Sequence, residues 1–224
     1  MKAIPLLAIG LVIGCAAPKT TPKTAPFATA LNWVTQSSEY QAVCRQTFAN
    51  AWEKVEAAAS EATGQWAIVM DLDETVLDNS GYQRQLAASG KGHSQEAWDK
   101  WVAKSNAGLV PGAKEFIAKV RVLPHSRIIF ISNRYTRNLA FTKSNLKKLG
   151  IAAANDIHLL RADRSDLKSI RRKEVLTGTS RMKEPGPFKV LAWFGDAAHD
   201  MPDDPKLKWG THKFMLPNPV YGNW

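Results

Sequence analysis

The sequence predicts an α/β fold, a mainly parallel sheet with helices on both faces and a small helical cap. Two observations carry this. Five short apolar runs, at 66–73 (WAIVMDLD), 127–133 (RIIFISN), 156–160 (DIHLL), 190–196 (VLAWFGD) and 212–217 (HKFMLP), have the length and apolar continuity of buried strands. Between most of them apolar residues recur at helical spacing, over Gly112–Val120, Thr136–Leu149 and Lys168–Leu176. Strand alternating with helix is the pattern of a parallel sheet covered by its own crossovers. Ligands of such sheets bind beyond the carboxyl ends of the strands. Asp71, Asp73, Ser132, Asn133 and Asp196 all fall there.

Ahead of the first run, Tyr40, Val43, Cys44, Phe48, Ala51, Trp52 and Val55 recur at helical spacing, which predicts one or two helices ending near Gly64. After it, residues 80–108 carry Trp98 and Trp101 among glycines and lack strand alternation, so they read as a helical cap over the strand ends. The expected domain is 31–224, its cap drawn from 31–64 and 80–108. A chain of 224 residues, 45% hydrophobic and 22% charged, is sized for one such globular unit.

The first residues read as a targeting signal. Lys2 precedes an apolar stretch from Ala3 to Ile13, too short to span a bilayer as a helix. The string Val12-Ile13-Gly14-Cys15 resembles the bacterial lipobox, in which the cysteine is lipidated after cleavage. The expectation is a signal peptide over 1–14 and a lipidated, flexible tether over 15–30, rich in Pro, Thr and Lys, that holds the domain on the cell envelope at the outer membrane or facing the periplasm. A plain secretory signal containing a cysteine is the alternative. Cys44 is then the remaining thiol, expected as a buried small hydrophobe.

A formal charge of +10 suits an anionic partner, although a basic surface that aids solubility accounts for it equally well. No nucleic-acid-binding motif accompanies it, and none is expected as a partner.

The stretch DLDETVLDN at 71–79 sets two carboxylates two residues apart at a strand end. Such a pair is tolerated when a cation lies between the groups or one keeps its proton, and both arrangements suit phosphoryl transfer. Asp71 can attack phosphorus and Asp73 can pass a proton to and from the departing oxygen. Mg²⁺ favours such oxygen donors. In FGDAAHD at 194–200, Gly195 permits a tight turn and Asp196 and Asp200 offer further oxygens. Ser132 and the neighbouring amides of ISNR can hold a phosphate oxygen, and Lys168 can offset charge on nucleophile and phosphate. A solvated helix face is the ordinary alternative for Lys168, which sits beside Arg171, Arg172 and Lys173.

In this order the pieces resemble the haloacid dehalogenase superfamily: D-x-D-x-T, a strand ending in Ser or Thr, a Lys, then G-D-x-x-x-D. Within it the chain looks like the class C bacterial acid phosphatases, on DLDETVLDNS at 71–80, W-x-x-W at 98–101, LVPGAKEF at 109–116, FISNR at 130–134, KSIRR at 168–172, GDAAHD at 195–200 and FMLPNPVYGNW at 214–224. The resemblance implies a Mg²⁺-dependent phosphomonoesterase, non-specific or preferring 5′-nucleotides, and often a homodimer. It implies Asp71 as nucleophile and metal ligand, and Asp73 as acid/base and, through its backbone carbonyl, metal ligand. It further implies Asp196 as metal ligand, Asp200 behind it, and Ser132 and Lys168 on the substrate phosphate, with Asn133 beside Ser132 a further substrate-binding candidate. Members that prefer nucleotides grip the base between aromatic rings, so Trp98, Trp101 and Tyr221 are candidates, with core packing of the cap as the alternative for each. Two further functions stay open: a phosphotransferase that passes the phosphoryl group to an alcohol, and a surface lipoprotein that binds a ligand without turnover.

Overall fold

The computed structural model describes residues 26–222. The signal and lipidation expectations at 1–14 and Cys15 lie outside them. The strands are β1 (Trp66–Met70), β2 (Leu77–Asp78), β3 (Gly108–Leu109), β4 (Ser126–Tyr135), β5 (Ile157–Arg161), β6 (Lys189–Gly195) and β7 (Lys213–Met215). The helices are α1 (Pro26–Gln36), α2 (Ser38–Ser60), α3 (Ser80–Ser89), α4 (Gln95–Ala103), α5 (Ala113–Arg121), α6 (Leu139–Lys148) and α7 (Lys168–Thr177).

Five strands form one parallel sheet in the order β5-β4-β1-β6-β7. The chain builds outward from β1 to β5, then returns to lay β6 on the other side of β1. The switch point therefore falls at the carboxyl end of the central strand, where α/β sheets bind ligands.

Every residue of β1 is buried, because alternate residues serve different cores. Ile68 and Met70 join Ile128, Phe130, Ala192 and Phe194 in one cluster with residues of α2 and α5. Ala67 and Val69 join Ile129, Ile131, Leu159, Trp193 and, from α7, Val175 in the other. This is the two-faced cover that the apolar continuity of the runs predicts.

The structure corrects two boundaries. The tether expected over 15–30 is already helical from Pro26, where α1 begins. Proline is tolerated there because a first-turn N–H needs no helical partner. Nor does α2 belong to the cap. Its buried stripe, Tyr40, Cys44, Phe48, Ala51 and Val55, packs on the sheet. The Phe48 ring lies 5.8 Å from that of Phe194, which in turn sits 4.9 Å from Phe116 and 5.2 Å from Phe214. Each such phenyl contributes roughly 1.5–3 kcal/mol by leaving water. Cys44 is buried in the same cluster.

The cap proper is α3 and α4, inserted between β2 and β3. Those strands pair antiparallel, Leu77 with Leu109 and Asp78 with Gly108, and so clamp the two ends of the insertion side by side. Inside it the Tyr82 and Trp98 rings meet edge to face at 5.1 Å.

Candidate active site

The end of β1 is fixed by the Asp71 amide, which donates to the Phe194 carbonyl of β6 at 2.9 Å. Beyond it the chain turns back on itself. Glu74 adopts a left-handed backbone (φ 59°), and the Leu77 amide closes on the Leu72 carbonyl at 2.7 Å. On the neighbouring strand β6 ends at Gly195, where a Cβ would lie 2.2 Å from the Asp200 Cβ, so only glycine allows that approach. The short turn 198–200 then brings Asp200 back, its Oδ2 accepting from the Ala197 amide at 3.0 Å.

These turns gather the acids at one rim. Asp71, Asp196 and Asp200 each present a carboxylate oxygen, and the three lie within 4.8 Å of one another. Lys168, the first residue of α7, is buried rather than solvated, and its ammonium donates to Asp71 Oδ1 and to Asp200 Oδ1, both at 2.5 Å. Burial pushes the Asp71 carboxyl well above the usual carboxylate range; Lys168 opposes this, while Asp200, Asp196 and Asp73 add to it. Burial likewise raises Asp196 to about 6, against the hydrogen bond it accepts from Asn218 at 2.7 Å. Burial disfavours the charged Lys168, but the two carboxylates outweigh it and its value rises. One ammonium against three acids leaves negative charge in excess. Hard carboxylate oxygens at this spacing fit a small divalent cation, for which Asp71, Asp196 and Asp200 are the available side chains.

Asp73 is held apart from that cluster. Arg134, 1% exposed, donates to it from Nη2 at 2.7 Å and from Nε at 3.0 Å. Asn79 donates to the same carboxylate at 2.9 Å and accepts the indole N–H of Trp101 at 2.8 Å, which ties the cap to Asp73. Ser132 is fully buried; its hydroxyl accepts from the Arg134 amide at 3.1 Å and reaches Asp73 at 3.4 Å. Asn133 accepts from Arg171 at 2.9 Å, and Arg171 also donates to the Ser132 carbonyl at 2.5 Å.

A cleft of about 500 Å³ opens onto this rim. Asp71, Asp73, Asn133, Lys168, Asp196, Trp98 and Tyr221 line it. Ser132 stands behind the wall, bonded to Asp73. Trp101 is a correction: it is 6% exposed, does not reach the cleft, and fills the cap interior against Gly81, where a Cβ would meet its ring at 2.7 Å. Asp200 stands beside Asp71 in the cation cluster, nearer than the sequence places it. Sequence reasoning missed Arg134 and Asn79 around Asp73, Asn218 beside Asp196, and Tyr82 and His93 on the cap wall. It missed Glu74 as well, a buried acid that accepts from the Tyr221 hydroxyl and the Asn79 amide. Arg134 and Asn218 both lie in strings that carry the family resemblance, which is the one signal that pointed to them.

Comparison with known proteins shows the fold and the family. The structure is similar to two structures of the class C acid phosphatase from Bacillus anthracis. For the first the TM-score is 0.75 at 29% sequence identity, covering 88% of this chain and 86% of that one. For the second, which has tungstate bound, the TM-score is 0.73 at 28% identity over the same shares. A curated relative, the stem 31 kDa glycoprotein of Glycine max, is 27% identical over 158 residues, 68% of this chain but 58% of the plant protein's length. The pattern of the HAD superfamily, subfamily IIIB (Acid phosphatase), matches residues 15–224, and with nearly the whole sequence so covered the chain belongs to that family.

Proposed function

We propose that the protein is a Mg²⁺-dependent acid phosphatase that hydrolyses phosphomonoesters through an aspartyl-phosphate on Asp71. One observation carries the reading. The Lys168 ammonium stands 2.5 Å from both Asp71 and Asp200 at the head of a cleft large enough for a small ester. Asp71 attacks phosphorus as the ester P–O bond breaks, and Asp73 gives its proton to the departing alcohol. Water then attacks the acyl phosphate, leaves its proton on Asp73 and releases inorganic phosphate, restoring both carboxyl groups. Lys168 holds the nucleophile in place and offsets charge gathering there. Arg134 and Asn79 fix the orientation of Asp73, and Asn133 stands where a phosphoryl oxygen can be met. A cation among Asp71, Asp196 and Asp200, with Mg²⁺ the natural occupant of an all-oxygen set, would neutralise the phosphoryl oxygens.

Tyr82, Trp98 and Tyr221 give the cleft an aromatic wall, which supports 5′-nucleotides among the esters accepted. The tungstate held by the Bacillus anthracis protein is an oxyanion shaped like phosphate and supports the same class of ligand. The lipobox-like string ending at Cys15 supports a lipid anchor on the bacterial envelope, so that substrates are met outside the cytoplasm. A homodimer follows from the family resemblance alone.

The deciding experiment is phosphate release from p-nitrophenyl phosphate and nucleoside monophosphates at acidic pH, with Mg²⁺ and with EDTA, for wild type and Asp71→Asn. The variant should keep its circular dichroism and lose turnover by on the order of a thousandfold or more. Near wild-type turnover in the variant would remove Asp71 as the nucleophile.

A further inference from the structure

Among the described residues, three Arg and Lys side chains line the cleft: Arg134, Lys168 and Arg161. Two are matched. Arg134 pairs with Asp73, and Lys168 with Asp71 and Asp200. Arg161, the last residue of β5, is not. Among the described residues its Nε, shielded from solvent, has no hydrogen-bond partner and its guanidinium makes no ion pair. Of the acids that follow β5, Asp166 is engaged with Arg171 and Arg181, Glu174 with Arg181, and Asp163 accepts from the Ser165 amide and hydroxyl. Holding a partly buried guanidinium without a counter-ion costs free energy. Its planar fork is shaped to receive an oxyanion in two parallel hydrogen bonds.

We infer that Arg161 is a subsite for a second anionic group on the substrate, a carboxylate or a further phosphate, and so biases the cleft toward phosphomonoesters that carry one. The group that reacts is met by Asp71 and Lys168 after β1 and at the head of α7. Arg161 approaches from the end of β5, with β4 between it and β1 in the sheet. Adjacent strands lie about 4.8 Å apart, so the two positions are separated by roughly the length of a small carbon skeleton. Esters whose phosphoryl group is their one anionic group would leave the guanidinium unpaired, whereas esters with a second anionic group would neutralise it.

The inference rests on the phosphatase reading, and two measurements keep their failures apart. The first compares kcat/KM for phenyl phosphate and glycerol 3-phosphate with that for 4-carboxyphenyl phosphate and 3-phosphoglycerate, in wild type and Arg161→Gln. The variant should lose on the order of tenfold or more on the carboxylated esters, the worth of a charge-assisted pair, and stay within about twofold on the others. Arg161→Lys should recover part of the loss. The second titrates Asp71→Asn protein, with and without Arg161→Gln, with phenyl phosphate and 4-carboxyphenyl phosphate, which reads binding without turnover. Weakened binding of the carboxylated ester alone supports the subsite even if no ester is hydrolysed by the wild type, which would sink only the phosphatase reading. Equal losses on all esters would place Arg161 on the reacting phosphate, and no loss on any would make it a structural side chain; either result overturns the inference.

Discussion

Arg134 decides how Asp73 points. Three of its hydrogen bonds end on that carboxylate, its Nη1 is held by Thr142 at 3.2 Å, and its guanidinium lies 5.6 Å from the Trp98 ring centre. Lysine would keep the charge and lose the fork. Arg134→Lys should therefore lower kcat by on the order of a hundredfold, as misplaced catalytic groups do, with KM little changed. A shift in KM alone would show instead that Arg134 serves binding. Arg134→Ala adds a stability loss of about 3 kcal/mol by leaving Asp73 unpaired. At this scale the sequence disclosed the acids and hid their partners. Asp71, Asp73 and Asp196 were legible because carboxylates after apolar strands have few other uses. Arg134 was not, because a basic residue at a strand end is ordinary until the strand's neighbour is known to place a carboxylate 2.7 Å away.

Elements were more legible than their contacts. The run at 127–133 lies within β4 and the helical spacing from Lys168 coincides with α7, since buried strands and amphipathic helices write their periods directly into the chain. What α2 covers was not written there. A stripe at helical spacing looks the same against a sheet as in a cap, and the choice is made by Phe116, Phe194 and Phe214, which come later in the chain. Between β6 and the turn at 198–200, geometry is tighter still. A Cβ on Gly195 would lie 2.2 Å from the Asp200 Cβ and 2.4 Å from its Oδ2, and neither atom is the loose end of a long side chain. Gly195→Ala should push Asp200 off the Lys168 ammonium and the Ala197 amide together. The expected cost is about 1–3 kcal/mol, read as a fall in the melting temperature of about 2–4 °C per kcal/mol, with weaker Mg²⁺ binding by calorimetry. Unchanged melting and unchanged metal affinity would show that the turn has room to yield.

For the whole molecule, the acid cluster links stability to pH and to metal. The Asp196 carboxyl sits at about 6 in the fold, above the 3.8 usual for an aspartate, and Asp71 is shifted in the same direction, both chiefly by burial. A carboxyl raised on folding binds its proton more tightly in the native state, so its contribution to stability is fully present below the unfolded value and is lost as pH rises through the folded one. In EDTA, this cluster should therefore weaken the fold progressively from about pH 4 to about pH 6. Asp196→Asn removes one of the charges, so in EDTA the variant should melt above wild type at pH 7, with the gap closing toward pH 4. Metal acts in the opposite sense. A cation must displace the protons before it binds, so the rise in melting temperature on adding Mg²⁺ should be larger at pH 7 than at pH 5 for wild type, and smaller for Asp196→Asn at both. Differential scanning calorimetry of the two proteins at these pH values, with Mg²⁺ and with EDTA, measures every term. If the EDTA curves of wild type and variant run parallel from pH 4 to pH 7, the carboxyl of Asp196 is not titrating with the fold, and the rim carries less repulsion than three acids around one ammonium imply.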